Sequence, residues 1–317
     1  MLTISTTLPA QQTAIYEDVQ EMYRDGMELF DKEKYAAALQ AFESFSLAAK
    51  EKSSEQVINA QYHSGICALY LYHKDAEYRL EKFVQDYPES PWVRKVYFEL
   101  ASYNYQRKRY KKALEWFEFT NPNELPADRV TEFYFKRGHS RFEEEEYAAA
   151  RSDFFQVKDV ESRFQAPAIY YYSHIAYTDG DWQTAQDGFK KLQDDENFAP
   201  VVPYYLTQIL YKQKKYDELL AYAPALLDSS AQINAKRKPE ISRLIGDAYY
   251  RKAKYEAALP YLEYFHEETP KKERTAEDFF QLGYTYYALG NPTLALDALS
   301  NATQEENELS QSAIYYM

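Results

Sequence analysis

The chain has 317 residues, a formal charge of −13, 17% aromatic side chains and 33 tyrosines. An acidic surface of this kind disfavours nucleic acid and anionic membrane, both of which bind through neutralised phosphates, and leaves basic partners open. The single cysteine, Cys67, excludes an internal disulfide and does not decide the redox compartment.

Met1 to Ala10 is apolar and Thr-rich and ends in a small residue before Gln11-Gln12. Residues 1–12 read either as the tail of a secretory signal peptide cut after Ala10 or as a disordered N-terminus. No cysteine stands there to carry a lipid, and no later run approaches the roughly 20 apolar residues a membrane span needs.

From residue 13 onward a template about 37 residues long recurs. One copy runs Gly26, Tyr35, Ala38, Phe42, and another runs Gly138, Tyr147, Ala150, Phe154. The pattern fits eight times. Its small slot holds Gly26, Gly65, Ala101, Gly138, Ser173, Thr207, Gly246 and Gly283. Its Ala slot, twelve residues on in most copies, holds Ala38, Ala76, Ala113, Ala150, Ala185, Leu219, Ala258 and Ala295. Each copy divides into two helix-length halves around a short polar turn. In the fourth these halves run from about Arg129 to Phe142 and from about Tyr147 to Lys158, with apolar residues at helical spacing. Glycine in mid-helix costs roughly 1 kcal/mol against alanine. Its use at one slot in five copies predicts close approach of two helices.

Further along, Arg107-Lys108-Arg109 with Lys111-Lys112 and the run Glu143 to Glu146 occupy equivalent turns of copies three and four. Each alone could be a docking patch, for nucleic acid or for a basic partner. Stacking favours the two runs facing each other as a solvated ion-pair network. Pro224 and Pro260 fall within second helices and predict a kink or early break, with a change of curvature between residues 200 and 260. The segment 311–317 reads as the opening of a further repeat. It predicts a fragment of a longer protein, with an uncovered apolar end able to self-associate.

The histidines His63, His73, His139, His174 and His266 form no metal-ligand spacing, and no Gly-rich phosphate loop or G-x-S-x-G occurs. No catalytic, cofactor-binding or metal-binding residue is therefore assigned, and the chain is not read as an enzyme. Cys67, between Ile66 and Ala68, reads as a small buried hydrophobe.

The eight copies resemble the tetratricopeptide repeat (TPR). Phe279-Phe280-Gln281-Leu282-Gly283-Tyr284 and Ile245-Gly246-Asp247-Ala248-Tyr249-Tyr250, with Tyr255 and Ala258, match its signature, and Pro88 and Pro270 fill its terminal proline slot. The spacing is mostly longer than that family's 34 residues. The resemblance implies an all-α, right-handed α-solenoid of about eight TPR helix pairs over residues 13–310, plus the start of a ninth. A looser resemblance, in Phe83 to Trp92, is to repeat proteins of the bacterial envelope. It implies a periplasmic setting, with a cytoplasmic one as the alternative.

In that family first helices line a concave face where ligands usually bind. The slot three before the small residue holds Tyr23, Tyr62, Phe98, Phe135, Tyr170, Tyr204, Arg243 and Phe280. The slot four after it holds Phe30, Leu69, Tyr105, Phe142, Tyr177, Tyr211, Tyr250 and Tyr287. Both rows fall on one helix face. The candidate ligand contacts are Tyr105, Phe135, Phe142, Tyr170, Tyr177, Tyr204 and Tyr211, with His139 and His174 as polar orienters. Packing between adjacent helices is the competing role for these rings. A carboxylate clamp of that family would need Asn one after the small residue, and no copy has it. The expected function is a non-catalytic scaffold for a protein or peptide, with a basic partner favoured and no nucleic acid. The alternatives are the recognition arm of a larger protein and a glycan-binding module.

Overall fold

The computed structural model describes residues 10–228, 234–303 and 307–317, the side chains of residues 10–17 and 228 excepted. Residues 1–9, on which the leader reading mostly rests, lie outside the described residues. The chain forms two compact units, Met1–Gln156 and Val157–Met317. Each is a stack of antiparallel helix pairs, with no strand among the described residues.

The first unit pairs α1 (Ala10–Asp31) with α2 (Tyr35–Ala48) and α3 (Glu55–Tyr70) with α4 (Ala76–Asp86). It continues with α5 (Val93–Gln106) and α6 (Tyr110–Glu118), then α7 (Ala127–Glu143) and α8 (Tyr147–Phe155). First helices touch first helices, α1 to α3 to α5 to α7. The second unit pairs α9 (Gln165–Thr178) with α10 (Trp182–Lys191) and α11 (Val202–Lys212) with α12 (Tyr216–Tyr222), the latter followed by the short α13 (Pro224–Asp228). Then come α14 (Lys238–Arg251) with α15 (Tyr255–Glu268), α16 (Ala276–Ala288) with α17 (Pro292–Ser300), and α18 (Glu308–Tyr316). Here α11, α14, α16 and α18 stack in the same way.

The small slot is where the two helices of a pair meet. A Cβ on Gly26 would lie 2.8 Å from the ring of Phe42, and one on Gly283 would lie 2.7 Å from Leu299. Gly65 and Gly246 meet Leu80 and Leu262 as closely, at 2.5 and 2.7 Å. The fifth pair reverses the arrangement. Its first helix carries the buried Ser173, and the opposing Gly188 would put a Cβ 1.9 Å from the Ser173 hydroxyl. In the sixth pair the small slot is Thr207 and the slot sixteen on is Ala223 instead of an aromatic or Leu, both fully buried. The combined volume at the crossing is thus held down in each pair, by whichever helix gives way.

Every pair turns the same corner. Seven residues after the small slot stands a residue with positive φ: Glu33, Tyr72, Lys108, Glu145, Lys214 and Ala253, with Gly180 and Gly290 in the remaining two. The next amide bonds back five positions, as in Lys34 N to Leu29 O and Glu146 N to Arg141 O, both at 2.8 Å. This left-handed closure satisfies the orphan carbonyls of the first helix and starts the second at once. Of the two breaks that proline could make, one is present. The second helix of the sixth pair ends at Tyr222 and resumes at Pro224, whereas α15 runs through Pro260 without a break.

Candidate functional site

The rings of the first-helix rows are seated differently from one another. In the row three before the small slot, Tyr62, Phe98 and Phe135 are buried, while Tyr23, Tyr170, Tyr204 and Phe280 are half-buried. In the row four after it most rings are half-buried, and Tyr287 is 49% exposed. Six of these rings share one packing device. Phe30, Tyr105, Phe142, Tyr177, Tyr211 and Tyr250 each meet the ring that opens the second helix of their own pair, edge-on at 5.4–6.0 Å. The partners are Tyr35, Tyr110, Tyr147, Trp182, Tyr216 and Tyr255. Such edge-to-face pairs brace the turn.

In the first unit, Tyr105, Phe135 and His139 come together. The His139 imidazole lies 5.6 Å from Tyr105, 5.7 Å from Tyr110 and 6.1 Å from Phe135, and its Nε2 is 3.7 Å from Glu143. Phe142 meets Tyr147 edge-on at 5.4 Å. In the second unit, Tyr170, His174 and Tyr177 converge on Tyr205, a hub the sequence rows do not contain, with centroids 5.5–6.2 Å away. Tyr205 itself stacks on Phe189 at 4.6 Å. Tyr170 stacks on Phe198 at 4.9 Å, and the Arg237 guanidinium lies 4.0 Å over Tyr204. Tyr211 donates its hydroxyl hydrogen bond to the fully buried Asp247, which also accepts from Gln281 at 2.6 Å and Arg251 at 2.7 Å. Burial holds the imidazoles of both His139 and His174 below the usual histidine value. Both are thus neutral at neutral pH.

The first unit also opens a pocket of about 190 Å³ at the N-terminal ends of its first helices. Tyr62 and Phe98 contribute to its wall, with Leu125 and Pro126 from the connection after α6 and a charged rim of Arg94, Lys95, Glu99, Glu124 and Arg129. Arg129 binds Glu99 at 2.9 Å and Glu132 at 3.2 Å, and Lys136 binds Glu132 at 2.5 Å. Burial pushes the Glu99 carboxyl up, against the pull of Arg129 and Lys136. Burial likewise pushes Lys136 down. Trp92, at the end of the Phe83–Trp92 connection, stacks on Tyr62 at 4.5 Å and supports that wall.

The charge runs do not form the facing network. Arg109 and Lys112 reach back to Glu77 at 3.0 and 2.9 Å, and Lys112 also to Glu81 at 3.0 Å. Glu143 and Glu146 meet His139 and Arg141 of their own pair. Glu77 and Glu81 lie on α4, beside the turn in the stack, and so capture the basic side chains first.

Among the described residues no group of His, Cys, Asp and Glu is placed to hold a metal. Cys67 is fully buried, and burial pushes its thiol up to about 12. Among the described residues no helix is long and apolar enough to cross a membrane.

No protein-family model and no curated protein matches this chain. Solved structures do. A tetratricopeptide repeat protein from Parabacteroides merdae is similar over 81% of this chain and 98% of its own, at 16% identity and a TM-score of 0.45. YrrB, a TPR protein with an unusual peptide-binding site, is similar over 65% of this chain and 97% of its own, at 19% identity and a TM-score of 0.49. The Cut9–Hcn1 hetero-tetramer of APC/C is similar over 89% of this chain and 52% of its matched chain, at 12% identity and a TM-score of 0.43.

Proposed function

We propose that this chain of stacked TPR-type helix pairs is a non-catalytic scaffold that binds a peptide or protein segment along its first helices. The observation that carries the reading is the pocket in which Leu125, Pro126 and the edges of the buried rings Tyr62 and Phe98 line a hollow beneath a charged rim. An apolar side chain of a partner would enter there, with its neighbours reading the rim, which is how an anchor residue concentrates binding energy. The half-buried rings Tyr105, Phe142, Tyr170, Tyr177, Tyr204 and Tyr211 are candidate flanking contacts, with His139 and His174 as polar orienters. The net charge of −13 adds long-range attraction for a basic partner.

Selection from a displayed peptide library tests this. Enriched peptides should bind the wild type and lose at least about tenfold with Leu125→Arg, which fills the pocket mouth from a connection outside the helices. Tyr177→Ala and Tyr211→Ala should weaken those enriched peptides that bind the second unit by itself. No enrichment, or enrichment indifferent to all three changes, would place the function elsewhere.

A bacterial envelope, periplasmic setting is supported by the resemblance of the Phe83–Trp92 connection. Osmotic-shock fractionation of the native cell tests it, and recovery with the cytosol would oppose it. Association of copies through α18 is supported by Ile314 and Tyr315, which are 63% and 82% exposed. Light scattering should then show oligomers that Ile314→Lys with Tyr315→Lys abolishes.

A further inference from the structure

The basic turn between α5 and α6 is only partly neutralised. Arg109 and Lys112 are committed to Glu77 and Glu81. Among the described residues, no carboxylate lies within 4.0 Å of Arg107, Lys108 or Lys111. Arg107 is steadied 4.7 Å over the buried ring of Tyr103, and Lys108 occupies the left-handed position of the turn, with φ of 57°. Lys108, Tyr110 and Lys111 line an open hollow of about 370 Å³ whose other walls include Glu115 and Glu144. On a chain of net charge −13, three cations without an ion-pair partner around one turn, two of them lining the hollow, are a local concentration of positive charge.

We infer that this hollow docks a short acidic segment of a protein partner, a run of Asp or Glu. Its carboxylates would take the place that the Glu143–Glu146 run leaves unfilled. Charge complementarity makes the choice of occupant. Few free cations suit a few carboxylates, whereas a duplex nucleic acid would carry its phosphates on over the exposed Glu143, Glu144, Glu145 and Glu146. Glu144 stands on the wall of the hollow and opposes the same ligand, so it sets the affinity low and makes it adjustable. The hollow is separate from the Tyr62–Phe98 pocket and shares no lining residue with it.

The test is fluorescence anisotropy of a labelled oligo-aspartate peptide on the full chain at low ionic strength. The double reversal Lys108→Glu with Lys111→Glu should weaken binding about tenfold or more, since each exposed pair contributes a modest share. Lys108→Gly, which suits the left-handed turn and removes one cation, should weaken it about threefold while leaving the fold intact. Glu144→Gln should tighten it about twofold, and added salt should weaken wild type more than the double reversal. Leu125→Arg should leave it unchanged, which keeps this site distinct from the proposed peptide pocket. The inference is overturned if the double reversal binds as well as wild type or Glu144→Gln has no effect. Duplex DNA binding as tightly as the peptide through the same lysines would also overturn it, in favour of a general polyanion surface.

Discussion

A Cβ at Gly138 would sit 2.9 Å from the Cβ of Asp153 and 3.2 Å from the Phe154 ring. Gly138→Leu is therefore expected to cost roughly 1–3 kcal/mol in urea unfolding, because neither backbone nor ring can retreat far. Asp153, 2% exposed, holds Arg137 and Arg141 at 2.5 and 2.7 Å. Asp153→Ala should cost about 3 kcal/mol by taking the carboxylate from Arg137 and leaving Arg141 only its longer contact with Glu146, and an effect below about 1 kcal/mol would show that solvent replaces the carboxylate. At Ala253, held at φ of 52°, glycine should be tolerated without loss and gain up to about 1 kcal/mol. The small slot was legible in the sequence because glycine has no local reason to stand in mid-helix, so its recurrence reports a neighbour. The left-handed turn position was not, because Glu, Tyr, Lys and Ala occupy it in six of the eight pairs and carry no shared chemical mark.

Between elements, the aromatic rows were legible as rows but not as roles. Alternation at helical spacing says that Tyr105 and Tyr211 share a helix face. It does not say that Tyr105 leans on Tyr110 or that Tyr211 serves Asp247 in the next pair. Tyr211→Phe should keep the ring contact with Tyr216 and lose only the hydroxyl, at about 1 kcal/mol, while Tyr211→Ala should lose roughly 2–3 kcal/mol. Equal losses would mean that the hydroxyl–Asp247 bond dominates, and no loss in either would mean that the ring is free for ligand. Of the residues that tie one pair to the next in the second unit, Tyr205 recurs only as Tyr171 in the neighbouring copy, and the slot of Asp247 holds no other carboxylate. No recurrence through the eight copies marks them. Proline coincides with a break in the helix at Pro224, whereas α15 continues past Pro260.

Across the molecule, four histidines share one electrostatic condition. Burial holds His63, His139, His174 and His266 below their ordinary value of 6.5. The unfolded chain then binds more protons than the folded one as pH falls through 6.5, so stability is full above that value and declines below it. Urea midpoints should fall on acidification from neutrality, and His139→Phe should lessen the fall; midpoints independent of pH would contradict the burial. Because each helix pair touches mainly its neighbours, Gly138→Leu should lower hydrogen-exchange protection in α7 and α8 and leave α16 and α17 unchanged. The sequence by itself determined the helical class, the number of pairs, the helix-crossing slot and the acidic character. These follow from periods along the chain and from side-chain size, which act within one pair. Only the tertiary structure decided that Lys112 pairs with Glu81 instead of the acidic run, that Tyr205 gathers the rings of the second unit, and that a pocket opens at Tyr62 and Phe98. Those contacts join residues about 28 to 36 positions apart, and they depend on how one helix pair is rotated upon the next. That rotation is the outcome of all the side chains between them and of no single motif.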